Sequence, residues 1–150
     1  MKLVDLQPES WYRSAPFVDT LLLPVAPVKV EGKLFIEDEK NQIEEICVRT
    51  EKQLMGRVLL LPTVHYLPTT AENTERFLEE IITQFGQSDF SYLFLVARSS
   101  ISNISFRNKI MSNSLQVYWN LLSSIVNHSN QLEEEVENLT SSILTAWSDK

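Results

Sequence analysis

This sequence predicts an α/β fold: three layers, with a mostly parallel sheet of about four strands and helices on both faces, of flavodoxin- or Rossmann-like topology. Three observations point there. Short runs such as "DTLLLPV", "RVLLLPTV" and "YLFLVA" are almost wholly apolar, as strands covered on both faces are. The longer segments between them carry apolar residues at helical spacing. Strand and helix patterns alternate along the chain, which requires right-handed crossovers between parallel strands. A strand order of 2-1-3-4 is expected first and 3-2-1-4 second. The 150 residues fit one domain spanning 1–150, large enough to bury a real core.

The elements follow in order. "PESWYRSAPF" reads as a short helical turn or irregular lead-in stopped by Pro16. Residues Phe17 to Val25 form the first strand, with Pro24 and Pro27 near its end, where ladder hydrogen bonds are given up. "VKVEGKLFIE" fits either a hairpin turning at Glu31–Gly32 or an extended loop. "EDEKNQIEEICVRTEKQLMG" is a helix whose Ile43, Ile46, Cys47, Thr50 and Leu54 share one face, with Gly56 placed to stop it. The acidic run at its start reads as a solvated helix N-terminus. Arg57 to Tyr66 is the second strand. Thr69 then caps a helix with Glu72 as its capping-box partner, and Phe77, Leu78, Ile81, Ile82 and Phe85 form its inner stripe up to Gly86. "FSYLFLVA" is the third strand. A short helix is expected around Phe106 to Met111. "LQVYWN" is the fourth strand or the start of a helix running through "LLSSIV". The last helix begins near Asn130 and turns Leu132, Val136, Leu139, Ile143 and Trp147 inward.

Composition narrows the function. A formal net charge of −7 argues against broad nucleic-acid binding, which relies on clustered Lys and Arg. No apolar run reaches the ~18 residues of a membrane helix, so no membrane insertion is expected. The N-terminus does not read as a signal peptide, and a single cysteine suits a reducing, cytoplasmic setting. Only three glycines are present, each with a structural task, and neither a Walker loop nor GxGxxG occurs, so no cofactor is expected. Two histidines and one cysteine, far apart, do not make a zinc site. Cys47 reads as core. Between Phe90 and Leu132 there is no acidic residue, while Arg98, Arg107 and Lys109 are present. That stretch is either a polar loop or a small anion-attracting patch.

In an open parallel sheet, ligands sit beyond the carboxyl ends of the strands, near the switch in strand order. This rule nominates Ala26 and Pro27 after the first strand, Thr63, His65 and Tyr66 at the end of the second, Arg98, Ser99 and Ser100 after the third, and Trp119 and Asn120 after the fourth. Of these, His65, Tyr66, Arg98, Ser99 and Ser100 are the five ligand-binding candidates. His65 has the chemistry for proton transfer, yet a lone strand-end histidine is more often structural. Ser99 or Ser100 with His65 as base lacks the GxSxG elbow and an evident acid. Arg98 and its serines suit a carboxylate or phosphate. Tyr118 and Trp119 read as core or sheet-edge packing rather than a stacking platform.

Two segments together, "FVDTLLLPVAPV" and "EKQLMGRVLLLPTVHYL", carry a resemblance. A VDT entry to the first strand, and a helix leading into GRVLLLP and Tyr66, resemble the YpiF-like family of unknown function from Bacillus-type bacteria. Asp19, Thr20, Gly56, Arg57, Pro62 and Tyr66 match its pattern. The resemblance implies a bacterial cytosolic protein and brings no activity to transfer. It also implies a respiratory partner, through genes near those of a menaquinol–cytochrome c reductase. Two functions are thus expected. The first is a non-catalytic protein acting through a protein partner or its own dimer, with an exposed apolar patch near Tyr118 and Trp119. The second is a small-molecule binder or enzyme with an anionic ligand at the strand ends. Catalytic residues and metal ligands are not assigned.

Overall fold

A computed structural model describes residues 1–99, 101, 109–123 and 129–149. Its strands are β1 (Thr20–Pro27), β2 (Val30–Glu31), β3 (Leu34–Phe35), β4 (Val58–Leu60), β5 (Val64–Tyr66), β6 (Tyr92–Arg98), β7 (Lys109–Ser112) and β8 (Leu115–Leu122). Its helices are α1 (Pro8–Ser14), α2 (Asp38–Gln53), α3 (Ala71–Gly86) and α4 (Ser129–Ser148). The main sheet runs β4-β1-β6-β8-β7, with β5 joining β1 beyond β4. All its pairings are parallel except β7 with β8. In chain order of the buried strands this is 2-1-3-4, the flavodoxin-like arrangement.

Each face of the sheet closes its own apolar cluster. On one face α2 and α4 press Ile43, Ile46, Leu139 and Ile143 onto Leu22, Phe94 and Val96. On the other, α3 contributes Leu78 and Ile82 over Leu21, Leu23, Leu93 and Leu95, with Trp11 of α1 packed alongside. The three leucines of the first LLLP are 0–1% exposed. At about 1.5–3 kcal/mol for each fully buried leucine, this run anchors both faces.

The two LLLP runs lie side by side. Leu21 pairs with Leu59 and Leu22 with Leu60, so Pro24 comes level with Pro62. The expected single strand Arg57 to Tyr66 is broken there into β4 and β5. One more residue separates Val25 from Val64 than separates Leu22 from Leu60, which is a one-residue bulge. The break also explains a proline inside a central strand. Leu22 turns its carbonyl to the Leu61 amide (2.9 Å), so Pro24, two residues on, turns its nitrogen to the same side, where the neighbouring strand is interrupted and no donor is required. β1 therefore continues through Pro24 to Pro27 instead of ending at Val25.

Other boundaries shift for local reasons. The ambiguous segment is a hairpin, β2–β3, turning through Gly32 at φ +62°. The α3 cap is Thr70, not Thr69: its hydroxyl accepts the Asn73 amide at 3.2 Å. Pro16 stops the lead-in helix as expected: α1 ends at Ser14 with Ala15 as its cap, and the chain continues in a 3-10 turn, Ala15–Phe17. Lys109 to Met111 belong to β7, an antiparallel edge strand, where a helix was expected; residues 106–108 of that expectation lie outside the described ones. The "LQVYWN" run is strand through Leu122.

At the N-terminal end of the sheet, four side chains form a knot. Arg57 grips Asp19 with Nε and Nη2 (2.9 Å each to the nearer oxygen) and lies over the Trp147 ring at 4.0 Å. Trp147 donates its indole N–H to Thr20 Oγ1 (2.8 Å), and Thr20 donates to Asp19 Oδ1 (2.8 Å). The last turn of α4 is thereby fastened to the entry of β1. Beside it, the Met1 ammonium meets the buried carboxylate of Glu51, and Lys2 bridges to Leu60 on the β4 edge.

Candidate functional site

The bulge at Pro62 decides which way the strand-end residues point. On β4, Val58 and Leu60 face α2, while Leu59 and Leu61 face α3. The extra residue reverses the alternation, so Val64 and Tyr66 join the α3-side cluster. His65, paired with Ala26, is sent toward the α2 side. His65 and Tyr66 still share one hollow of about 370 Å³, with Thr69, Asn73, Thr74 and Phe77, and each also lines a second. Exposed His65 lines one of about 250 Å³ beneath the β2–β3 hairpin, with Phe35, Ile36, Glu37 and Lys40. Tyr66 lines a cleft of about 350 Å³ over the end of β1, with Lys29, Glu39, Thr69, Thr70 and Thr74.

This second cleft lies where the topology predicts a site. β1 connects to β4 and β5 on one side while β6 adds on the other, so the strand order switches at β1. Pro27 from the end of β1 and Ile101 from beyond β6 complete its wall. The N-terminus of the sixteen-residue α3 opens onto it through Thr69, Thr70 and Ala71. Thr70 satisfies the Asn73 amide, and the first amides of the helix, those of Ala71 and Glu72, have no acceptor within it. Thr74, buried, donates back to the Thr70 carbonyl at 3.2 Å and holds the turn.

Glu39 ties the cleft to Arg98. Arg98 Nε lies 3.2 Å from Glu39 Oε1, both side chains 12% exposed, and Arg98 Nη2 donates to Gln42 Oε1 at 2.7 Å. Lys29 Nζ stands 3.9 Å from the other Glu39 oxygen. That oxygen, Oε2, is buried and accepts no hydrogen bond among the described residues. Glu39 is thus not part of a solvated acidic run, as expected for the helix start; it is held between two cations. Tyr66 is 9% exposed, and its hydroxyl has no hydrogen-bond partner among the described residues. Burial first, and the Glu39 charge second, push its pKa up to about 12, so the phenol remains a donor at neutral pH.

Of the five ligand-binding candidates, Tyr66 and Arg98 meet at this cleft through Glu39. His65 lines the hollow beneath the hairpin and an adjoining one that it shares with Tyr66, Ser99 is half-buried where β6 ends, and Ser100 falls outside the described residues. Sequence reasoning missed Lys29, Glu39 and the Thr69–Thr70 pair. Their signal was present in the capping motif before α3 and in a lysine directly after β1. Tyr118 stacks on Phe94 (centroids 4.9 Å apart, planes at 10°) and Trp119 packs against the α3-side core, so among the described residues neither ring forms the exposed patch expected there. Exposed apolar side chains gather instead on the hairpin: Leu34 at 73%, Phe35 at 71% and Val30 at 48%.

A family model described as "protein of unknown function (DUF2487)" matches residues 9–147, nearly the whole chain. The chain belongs to this DUF2487 family. No curated protein and no solved structure matches it. The DUF2487 match spans β1, the bulge and these hollows. No helix among the described residues is long and apolar enough to cross a membrane.

Proposed function

We propose that this DUF2487 chain is a non-catalytic accessory protein that presents the β2–β3 hairpin to a protein partner. The observation that carries this reading is the exposure of Leu34, Phe35 and Val30 on a two-stranded hairpin at the strand-end face. Left in water, each of the two larger side chains forgoes about 1.5–3 kcal/mol of burial, which a partner's apolar groove would supply. Together they expose on the order of 350 Å², well short of the ~800 Å² per side of a stable interface. That favours insertion of the hairpin into a partner's groove over a homodimer built on this patch alone.

Two side chains with chemical potential, Arg98 and Cys47, are held in other tasks, which supports the non-catalytic part of the proposal. Arg98 is clamped by Glu39 and Gln42, and Cys47 is buried with its thiol pushed well above the usual range by desolvation. The single cysteine and the YpiF-like resemblance support a cytoplasmic protein of a Bacillus-type bacterium, and the resemblance favours a partner in respiration.

Photo-crosslinking in cells, with a photoreactive residue in place of Leu34, tests the reading. A discrete adduct with a different protein, lost when Phe35→Ser is added, is the expected result. Adducts of this chain with itself would replace the reading by self-association, and a folded protein giving no adduct would remove it.

A second reading is a small ligand at the strand ends, without catalysis. It is favoured by the buried, unpartnered Oε2 of Glu39 and by the Tyr66 side chain, 9% exposed, both lining the switch-point cleft.

A further inference from the structure

The polar groups of the switch-point cleft divide into two poles. One pole donates. It comprises the free first amides of α3 framed by Thr69 and Thr70, the half-exposed Lys29 ammonium and the Tyr66 hydroxyl. Helix N-termini favour anions because these amides and the helix dipole point at the ligand. A helix end alone would say little. Tyr66 adds an independent donor: its side chain, nine-tenths buried, lines the same cleft, and its hydroxyl is bonded to no described residue.

The other pole accepts. Glu39 spends Oε1 on Arg98, and its buried Oε2 is left with only the Lys29 ammonium, at 3.9 Å and beyond hydrogen-bond reach. A buried carboxylate oxygen without a donor is costly, so this atom calls for an N–H or O–H from a ligand. A simple anion would satisfy the first pole, but it would bring a second negative charge beside Glu39 and leave Oε2 unmet. A simple cation would meet Oε2 but face Lys29 and the positive end of α3. A ligand carrying both charges close together meets both poles. The cleft, at about 350 Å³, lies at the small end of ligand pockets, ~300–1,000 Å³.

We infer that the switch-point cleft binds a small zwitterion of the free α-amino-acid class. Its carboxylate lies at the α3 N-terminus with Lys29 and Tyr66, and its ammonium lies on Glu39. The inference rests on the second reading above, a small ligand at the strand ends, and names its class. It owes nothing to the hairpin.

The test is titration calorimetry of the whole chain with the twenty common L-amino acids, and with propionate and inorganic phosphate as anions lacking an ammonium. At least one amino acid should bind with one-to-one stoichiometry and outcompete propionate at least tenfold. Tyr66→Phe and Lys29→Ala should each weaken that amino acid by about fivefold or more, the scale of a lost hydrogen bond to a charged group. Glu39→Gln should erase the preference over propionate. Because Glu39 also holds Arg98, each variant's melting curve is recorded, and Thr69→Val, at an exposed position of the donating pole, should weaken the amino acid and propionate alike. Two results overturn the zwitterion and are distinguishable. If propionate or phosphate binds as well as any amino acid and Lys29→Ala abolishes it, the ligand is a plain anion and the second reading survives. If nothing binds to the folded wild-type chain, both fall.

Discussion

Replacing Thr20 with valine isolates one atom of the knot that fastens α4 to β1. Valine keeps the shape of a fully buried side chain and removes only the hydroxyl. That hydroxyl accepts the Trp147 indole N–H at 2.8 Å and donates to Asp19 at 2.8 Å. Asp19 is one-third exposed and keeps both bonds from Arg57, so its loss is small. The indole N–H has no second acceptor in the knot, and leaving it unmet costs about 1–3 kcal/mol. Valine suits a strand better than threonine by a few tenths of a kcal/mol, which works against the effect. The net expectation is a loss of about 1–2 kcal/mol. At ~2–4 °C per kcal/mol for a chain of this size, the melting temperature falls by roughly 2–8 °C. Thermal unfolding followed by circular dichroism reads this directly. Trp147→Phe removes the same bond from the other side while leaving an aromatic ring beneath Arg57. The double variant should therefore lose about 1 kcal/mol less than the two singles combined. Additivity of the singles to within about 0.3 kcal/mol would refute the argument, because the bond would then carry no coupling.

Three further outcomes follow from individual residues. Gly56→Ala should cost about 1–3 kcal/mol by chemical denaturation although nothing lies within 4 Å of the added carbon, because the backbone there sits at φ +102°. Native Cys47, buried with its thiol pushed up by desolvation, should resist a thiol-specific reagent near neutral pH and react fully once urea unfolds the chain; rapid labelling of folded protein would contradict the packing of α2. Tyr66 should give a late component in an ultraviolet titration that Tyr66→Phe removes. Its folded pKa of about 12 exceeds the ordinary 10.0, so the unfolded chain gives up this proton first. Its contribution to stability is therefore intact below about pH 10 and is lost as the pH rises through about 12.

The strands were legible because burial on both faces leaves an unmistakable mark: LLLP, LLLP and YLFLVA have almost no polar residue to misread. The strand order followed from alternation with helices. What the sequence concealed was a single extra residue. Pro62 marks where a strand weakens but does not say that the chain gains one residue against its neighbour, and only the pairing of Val25 with Val64 reveals it. That residue decides that Tyr66 faces the α3 side of the sheet and His65 the α2 side. Glu39 was hidden for a different reason. Three consecutive acids look alike as text, and which one meets Arg98, fifty-nine positions later, depends on how α2 lies across the sheet. Lys109 to Met111 misled because an edge strand has only one neighbour to satisfy and carries little apolar signal.

The central place of β1 has a consequence for how this protein is made. Its most apolar strand leaves the ribosome early, yet β6 flanks it only after residue 98 and α4 seals its second face only at Ser148. About 120 residues must be added in that interval, roughly 6–24 s at ~5–20 residues per second. Throughout it the run LLLPVAP stands without its final cover. The run is covered on both faces only once α4, Ser129–Ser148, has been made.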